Sequence, residues 1–141
     1  MDVDLERFRR AQAATYEAAL GELGRGRKEG HWIWWVLPQL RGLGHSPNSE
    51  YYGISGLAEA RAYAADAVLG ARLRETLRAL LAHRDRGARA VLGADEVKLR
   101  SCATLFRLAV PSETLFGEVL DALCDGQDDP LTLRLLGDDE G

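Results

Sequence analysis

Apolar residues return at three- and four-residue intervals through most of this chain, the spacing that lays one buried stripe along an α-helix. Leu5, Phe8, Gln12, Tyr16, Leu20 and Leu23 form the first such stripe, which predicts a helix capped by Asp4 and stopped by Gly24. After an irregular middle, Ser55 predicts the cap of a helix through Tyr63. Asp66 then opens another, with its stripe on Val68, Leu69, Leu73, Leu77, Leu80 and Leu81 and with His83 in the last turn. Residues 88–92 read as one helical turn closed by Gly93. Asp95 predicts the cap of a further helix with its core on Val97, Leu99, Cys102, Leu105, Phe106 and Ala109, ended before Pro111. Ser112 predicts the cap of the next, carrying Leu115, Phe116, Val119, Leu120 and Leu123. Asp129-Pro130, a capping residue followed by proline at the first helical position, opens a final helix through Leu136. About six helices and almost no two-residue alternation make the fold class all-α: one compact domain over 1–136, with an acidic, frayed tail at 137–141.

Two segments break this pattern. Gly24-Arg25-Gly26-Arg27-Lys28-Glu29-Gly30 is a basic turn, its three glycines removing any regular propensity. His31-Trp32-Ile33-Trp34-Trp35-Val36-Leu37 has no polar side before Pro38, so it is buried all round, and its length does not decide between helix and strand. From 39 to 56 the chain is loop-like, broken by Gly42, Gly44, Pro47 and Gly53, with Ser49 placed to cap a short turn bearing Tyr51 and Tyr52. Long loops inside compact domains carry function more often than short ones.

Composition sharpens the location. The 141 residues are 46% hydrophobic and 28% charged, enough for a single core. A net charge of -4 and a pI near 5.4 argue against a general nucleic-acid binder, leaving Arg25, Arg27 and Lys28 as the one local basic patch to consider. No apolar run reaches the ~20 residues of a membrane span, and the N-terminus lacks the pattern of a signal peptide, so the expectation is a cytoplasmic protein. Cys102 and Cys124 sit in apolar stretches without CxxC spacing and read as buried thiols. Of 18 basic residues only Lys28 and Lys98 are lysine, an arginine-heavy bias. Against that background, half of the Lys, Asn, Ile, Phe and Tyr residues and all three tryptophans fall between 28 and 54.

Phosphate-binding, metalloprotease and nucleophile-elbow motifs are absent, and His31, His45 and His83 are too scattered for a metal site, so neither metal nor cofactor is expected. On a helix, His31, Trp34, Trp35 and Pro38 share a face, either as the wall of a pocket for a planar ligand or as a core-filling aromatic knot. Gln39, Ser46, Asn48 and Ser49 add polar groups beside that wall or form an ordinary surface turn. Lys98, Ser101 and Thr104 form either a cationic and hydroxyl ladder for an anion or a solvated face with its hydroxyls bonded to helix carbonyls.

The ordered series Arg27-Lys28, His31-Trp32-Ile33-Trp34-Trp35, Pro38-Gln39, Gly42-Leu43-Gly44, Ser46, Tyr52-Gly53-Ile54, Tyr63 and Lys98-Leu99, with Ser101 and Thr104-Leu105-Phe106, resembles the family catalogued as domain of unknown function 1810. The likeness runs from Leu5 to Leu133 and implies a small, mainly helical single domain. It implies no reaction and no catalytic set. Trp35 stands where that family's pattern has phenylalanine, and Cys102-Ala103 where serine and methionine are more frequent.

Two functional expectations follow. One is a small-molecule site, for a nucleotide or ADP-ribose-like ligand, with Trp32, Trp34, Gln39, Ser46, Tyr52, Lys98, Ser101 and Thr104 binding it and His31 as the acid/base candidate, because an imidazole titrates near neutrality. The other is a non-catalytic protein-interaction module whose tryptophans are core. Both depend on whether the aromatic segment and the lysine-bearing helix border one solvent-accessible hollow.

Overall fold

The computed structural model describes residues 4–140, and the side chains of residues 4–137. Nine α-helices are present among them: α1 Glu6–Gly24, α2 Ile33–Val36, α3 Pro47–Tyr51, α4 Leu57–Ala65, α5 Leu69–Leu81, α6 Ala88–Leu92, α7 Glu96–Ala109, α8 Leu115–Leu123 and α9 Pro130–Glu140, with a 3-10 turn Gly93–Asp95 leading into α7. Six of these have nine residues or more, so the all-α expectation holds. The described backbone pairs strand-like only once, as an isolated parallel bridge between Leu40 and Ile54. The last helix continues through Glu140, so the described part of the expected tail is helical.

One cluster of buried side chains runs through the molecule, from Leu5 and Phe8 to Leu136. The periodic stripes supply most of it: Leu69, Leu73, Leu77 and Leu80 on α5, and Leu115, Phe116, Val119 and Leu120 on α8, are buried. α7 departs from the amphipathic expectation. Residues 101–106 are buried without interruption, because α4, α8 and α9 all pack against this helix, and Val97, placed in the core by the stripe, is 58% exposed. Cys102 and Cys124 are buried free thiols, as expected, and burial pushes both above the ordinary thiol range.

Several caps sit elsewhere than predicted. α1 starts at Glu6 and its N-cap position is Leu5, one residue beyond Asp4, so the helix has no side-chain cap; the Asp4 carbonyl accepts from the Arg7 guanidinium. Ser46, not Ser49, caps α3, accepting from the Ser49 N–H at 3.1 Å. Gly56 and Thr114, not Ser55 and Ser112, precede α4 and α8. Asp66 and Asp129 do cap: Asp66 Oδ2 accepts from the N–H groups of Val68 and Leu69, and Asp129 Oδ2 from the N–H and hydroxyl of Thr132.

Two buried polar assemblies hold the irregular middle of the chain to this frame. The Arg7 guanidinium donates to the carbonyls of Tyr51 and Gly53 and pairs with Glu59, both charged side chains being almost fully buried. Gln12 Nε2 donates to the Trp35 carbonyl at 2.6 Å and to the Tyr63 hydroxyl at 2.9 Å. Together with the Arg41 N–H bond to Ile54 O, these contacts fix where the loop 39–53 begins and ends.

Candidate functional site

The aromatic segment resolves into a short helix whose tryptophans do different things. Trp32 is core, and its indole N–H donates to Glu22 Oε1 at 2.9 Å. Trp35 is half-buried against Tyr52, with its N–H bonded to Thr15. Trp34 is half-buried and different again: its indole nitrogen is inaccessible to solvent and has no hydrogen-bond partner among the described residues. His31 precedes the helix and is exposed, so the imidazole and the indoles do not share a face.

Downstream, α7 begins beside this segment. Asp95 does not cap it with its side chain, because its carboxylate is bridged by two ammonium groups, Lys28 Nζ at 2.9 Å and Lys98 Nζ at 3.1 Å. Lys28 also donates to the Gly30 carbonyl and lies 5.2 Å from the Trp32 ring centroid; Lys98 lies 6.0 Å from that of Trp34. Cations over indole faces are favoured by the ring quadrupole. Burial alone would raise the Asp95 carboxyl, but its bonds to the two lysines hold it below its ordinary value. Asp95 is thus shared by two ammonium groups, and Lys28 also feels the Glu22 carboxylate, so Lys98 is the cation of this cluster left facing outward. Lys28 spends its charge inward, its side chain only 9% exposed, whereas that of Lys98 is 28% exposed.

Lys98 faces a cleft of about 270 Å³. Gln39, Leu43, Gly44 and Ser49 of the middle loop form one wall, Val97, Lys98 and Ser101 of α7 a second, and Asp129 and Leu131 at the start of α9 a third. The cleft is therefore cationic at Lys98, acidic at Asp129 and apolar at Val97, Leu43 and Leu131. The Ser101 hydroxyl donates to Val97 O at 3.1 Å, leaving its oxygen free to accept. Gln39 and Ser49 also line a second, much smaller pocket of about 10 Å³ with Trp34, Asn48, Tyr52 and Gly53.

A family model described as a protein of unknown function, DUF1810, matches residues 2–136. The chain belongs to the DUF1810 family. A solved DUF1810-like structure, the conserved hypothetical protein Rv1873 from Mycobacterium tuberculosis, is 43% identical, with a TM-score of 0.92 over 95% of this chain and 96% of that one. No curated protein matches the chain.

Within this DUF1810 fold, Gln39, Lys98 and Ser101 meet at the cleft, with Trp34 and Tyr52 behind it at the smaller pocket. The other expected site residues stand apart. Trp32 is committed to Glu22, and Ser46 caps α3 and donates its proton to Ser49 Oγ. Thr104 is fully buried, bonding the Arg100 carbonyl and the Asp129 N–H. The ladder Lys98, Ser101, Thr104 thus splits, its last member fastening α9 to α7. His31 lines neither pocket. Arg25 and Arg27 are exposed, and Lys28 is drawn away from that basic patch by Asp95. No described helix is long and apolar enough to cross a membrane.

Of the other cleft residues, Asp129 was legible only as a helix cap and Leu131 not at all, whereas Ser49 was among the polar groups read beside the aromatic wall. The lysine pair carried a usable signal: the two lysines of a chain otherwise supplied with arginine meet on one carboxylate.

Proposed function

We propose that the protein binds a small phosphorylated, hydroxyl-bearing metabolite, of nucleotide or ribose phosphate type, in the cleft between the middle loop, α7 and α9. The observation that carries this reading is that Lys98, which shares the Asp95 carboxylate with the more buried Lys28, lines a cleft that also contains Asp129 and apolar walls. An ammonium and the adjacent first turn of a helix attract a phosphate, a carboxylate accepts from ribose-like hydroxyls, and Val97, Leu43 and Leu131 offer contact to a ring. A volume of about 270 Å³ lies at the lower edge of ordinary ligand pockets, roughly 300–1,000 Å³, which favours a mononucleotide-sized group over a whole ADP-ribose. Trp34 supports Lys98 in this reading and does not stack the base, since the pocket beside it is too thin for a ring.

The test is calorimetric titration with nucleoside monophosphates, ribose 5-phosphate and ADP-ribose. Binding that weakens about tenfold or more in Lys98→Ala and is unaltered in His31→Ala is the expected result. Failure of all these compounds to bind overturns the reading.

A further inference from the structure

The smaller pocket shares Gln39 and Ser49 with the cleft, and each polar side chain that lines it, Trp34, Gln39, Asn48, Ser49 and Tyr52, carries a hydrogen-bond donor. Trp34 Nε1–H is buried and has no acceptor among the described residues. Ser49 Oγ already accepts the Ser46 proton at 2.9 Å, which leaves its own proton to give. The amide of Gln39 borders both this pocket and the cleft, and no acid side chain lines the smaller one. Its volume, about 10 Å³, matches roughly the smallest space that holds one water-sized oxygen. A buried indole N–H without an acceptor is costly, and Trp34 lines this pocket together with the donor-bearing Ser49 and Gln39, a combination that suits an oxygen atom. Lys98 Nζ stands 6.0 Å from the Trp34 ring centroid, close enough for one oxyanion to reach both.

We infer that this pocket is an oxyanion subsite. One oxygen of a phosphate or carboxylate enters it and accepts from Trp34 Nε1–H, Ser49 Oγ–H and the Gln39 amide, while a second oxygen of the same group meets the Lys98 ammonium. The donors are neutral and held in place by the fold, so they select for an oxyanion without needing another cation. This inference rests on the small-ligand reading of the cleft and adds to it the atom-level seat of the anionic group.

The test uses the full-length chain with ¹⁵N-labelled tryptophan, whose three indole signals are assigned by substituting each tryptophan in turn. Inorganic phosphate and acetate are the probes, phosphate standing for a phosphoryl ligand and acetate for a carboxylate. The expected result is that one or both move the Trp34 indole N–H signal while those of Trp32 and Trp35, already bonded to Glu22 and Thr15, stay in place. Trp34→Phe, which keeps the ring and removes the donor, then weakens the same probe about tenfold. If a probe binds with dependence on Lys98 but the Trp34 signal is unmoved and Trp34→Phe binds equally well, the subsite is overturned and the cleft reading survives. If neither probe binds and nucleotides also fail, both are overturned.

Discussion

Lys28 and Lys98 lie far apart in the chain and meet on Asp95, and the cluster they form sets two properties that one substitution separates. Lys28 is almost buried, so Asp95→Asn leaves an ammonium without its carboxylate, and a loss of about 3 kcal/mol of stability is expected in chemical denaturation. The same substitution frees Lys98 from its competitor. Affinity for phosphate at low ionic strength therefore rises, by about tenfold, and the gain shrinks as salt is added. A variant that is both weaker in fold and tighter in anion binding is hard to explain unless Asp95 competes with the ligand for Lys98. Glu22 offers a pH readout at the same scale. Burial alone would raise its carboxyl, but the N–H groups of Gly30, Glu29 and Trp32 hold it below the ordinary value of 4.5. A carboxylate whose pKa falls on folding stabilises fully above its unfolded value, and that stabilisation disappears as pH drops through the folded one. Glu22→Gln should thus be less stable by about 2 kcal/mol at neutral pH, with the gap to the native chain closing as the solution is acidified below pH 4.5 in a thermal-melting series.

Helices and the joints between them were legible to different degrees. The long helices followed from spacing, because a stripe such as Leu69, Leu73, Leu77 and Leu80 buries on one side wherever the rest of the chain happens to lie. α7 shows the limit: Ser101 and Thr104 read either as an anion-binding ladder or as hydroxyls bonded back to helix carbonyls on a solvated face; the carbonyl bonds are made, yet three helices close around the residues, and tertiary packing overrides the local pattern. Caps were misplaced for a related reason. Ser46, Ser49, Ser55 and Ser112 are equivalent on paper, and only the path of the backbone decides which hydroxyl meets a free N–H. Nothing in the spacing signals the buried Arg7, whose guanidinium holds the return of the loop at the Tyr51 and Gly53 carbonyls. Truncating it to Met leaves Glu59 buried and unpaired and releases the carbonyls of Tyr51 and Gly53, so a loss of about 3–5 kcal/mol is expected. Hydrogen exchange at the Arg41 and Ile54 amides should quicken first, since the bridge they make, Arg41 N–H to Ile54 O and Ile54 N–H to Gln39 O, lies beside the carbonyls that Arg7 holds. Adding Glu59→Leu should recover much of the loss, and no recovery would place the effect of Arg7 in its alkyl packing instead of its charge.

Across the whole molecule the cleft joins parts that no local pattern connects: a loop from the first half of the chain, the start of α7 and the start of α9. Each contributor was visible as an isolated feature, Gln39 after an apolar run, Lys98 and Ser101 on one helix, Asp129 before a proline. Their meeting depends on how α7 packs among its neighbours, which is a property of the finished fold. A ligand bridging these three walls acts as a further cross-link between segments distant in the sequence. Saturation at a hundredfold excess over the dissociation constant adds about 2.7 kcal/mol to the folded state, which for a chain of this size raises the melting temperature by roughly 8 °C. The distribution of that stabilisation is the more telling measurement. If a nucleoside phosphate occupies the cleft as proposed, amide exchange slows together at Gly44 and Ser49 on the loop and at Thr132 behind Asp129, although these residues belong to opposite ends of the sequence. Protection confined to one of the two walls would mean that the compound sits on a surface and not between them.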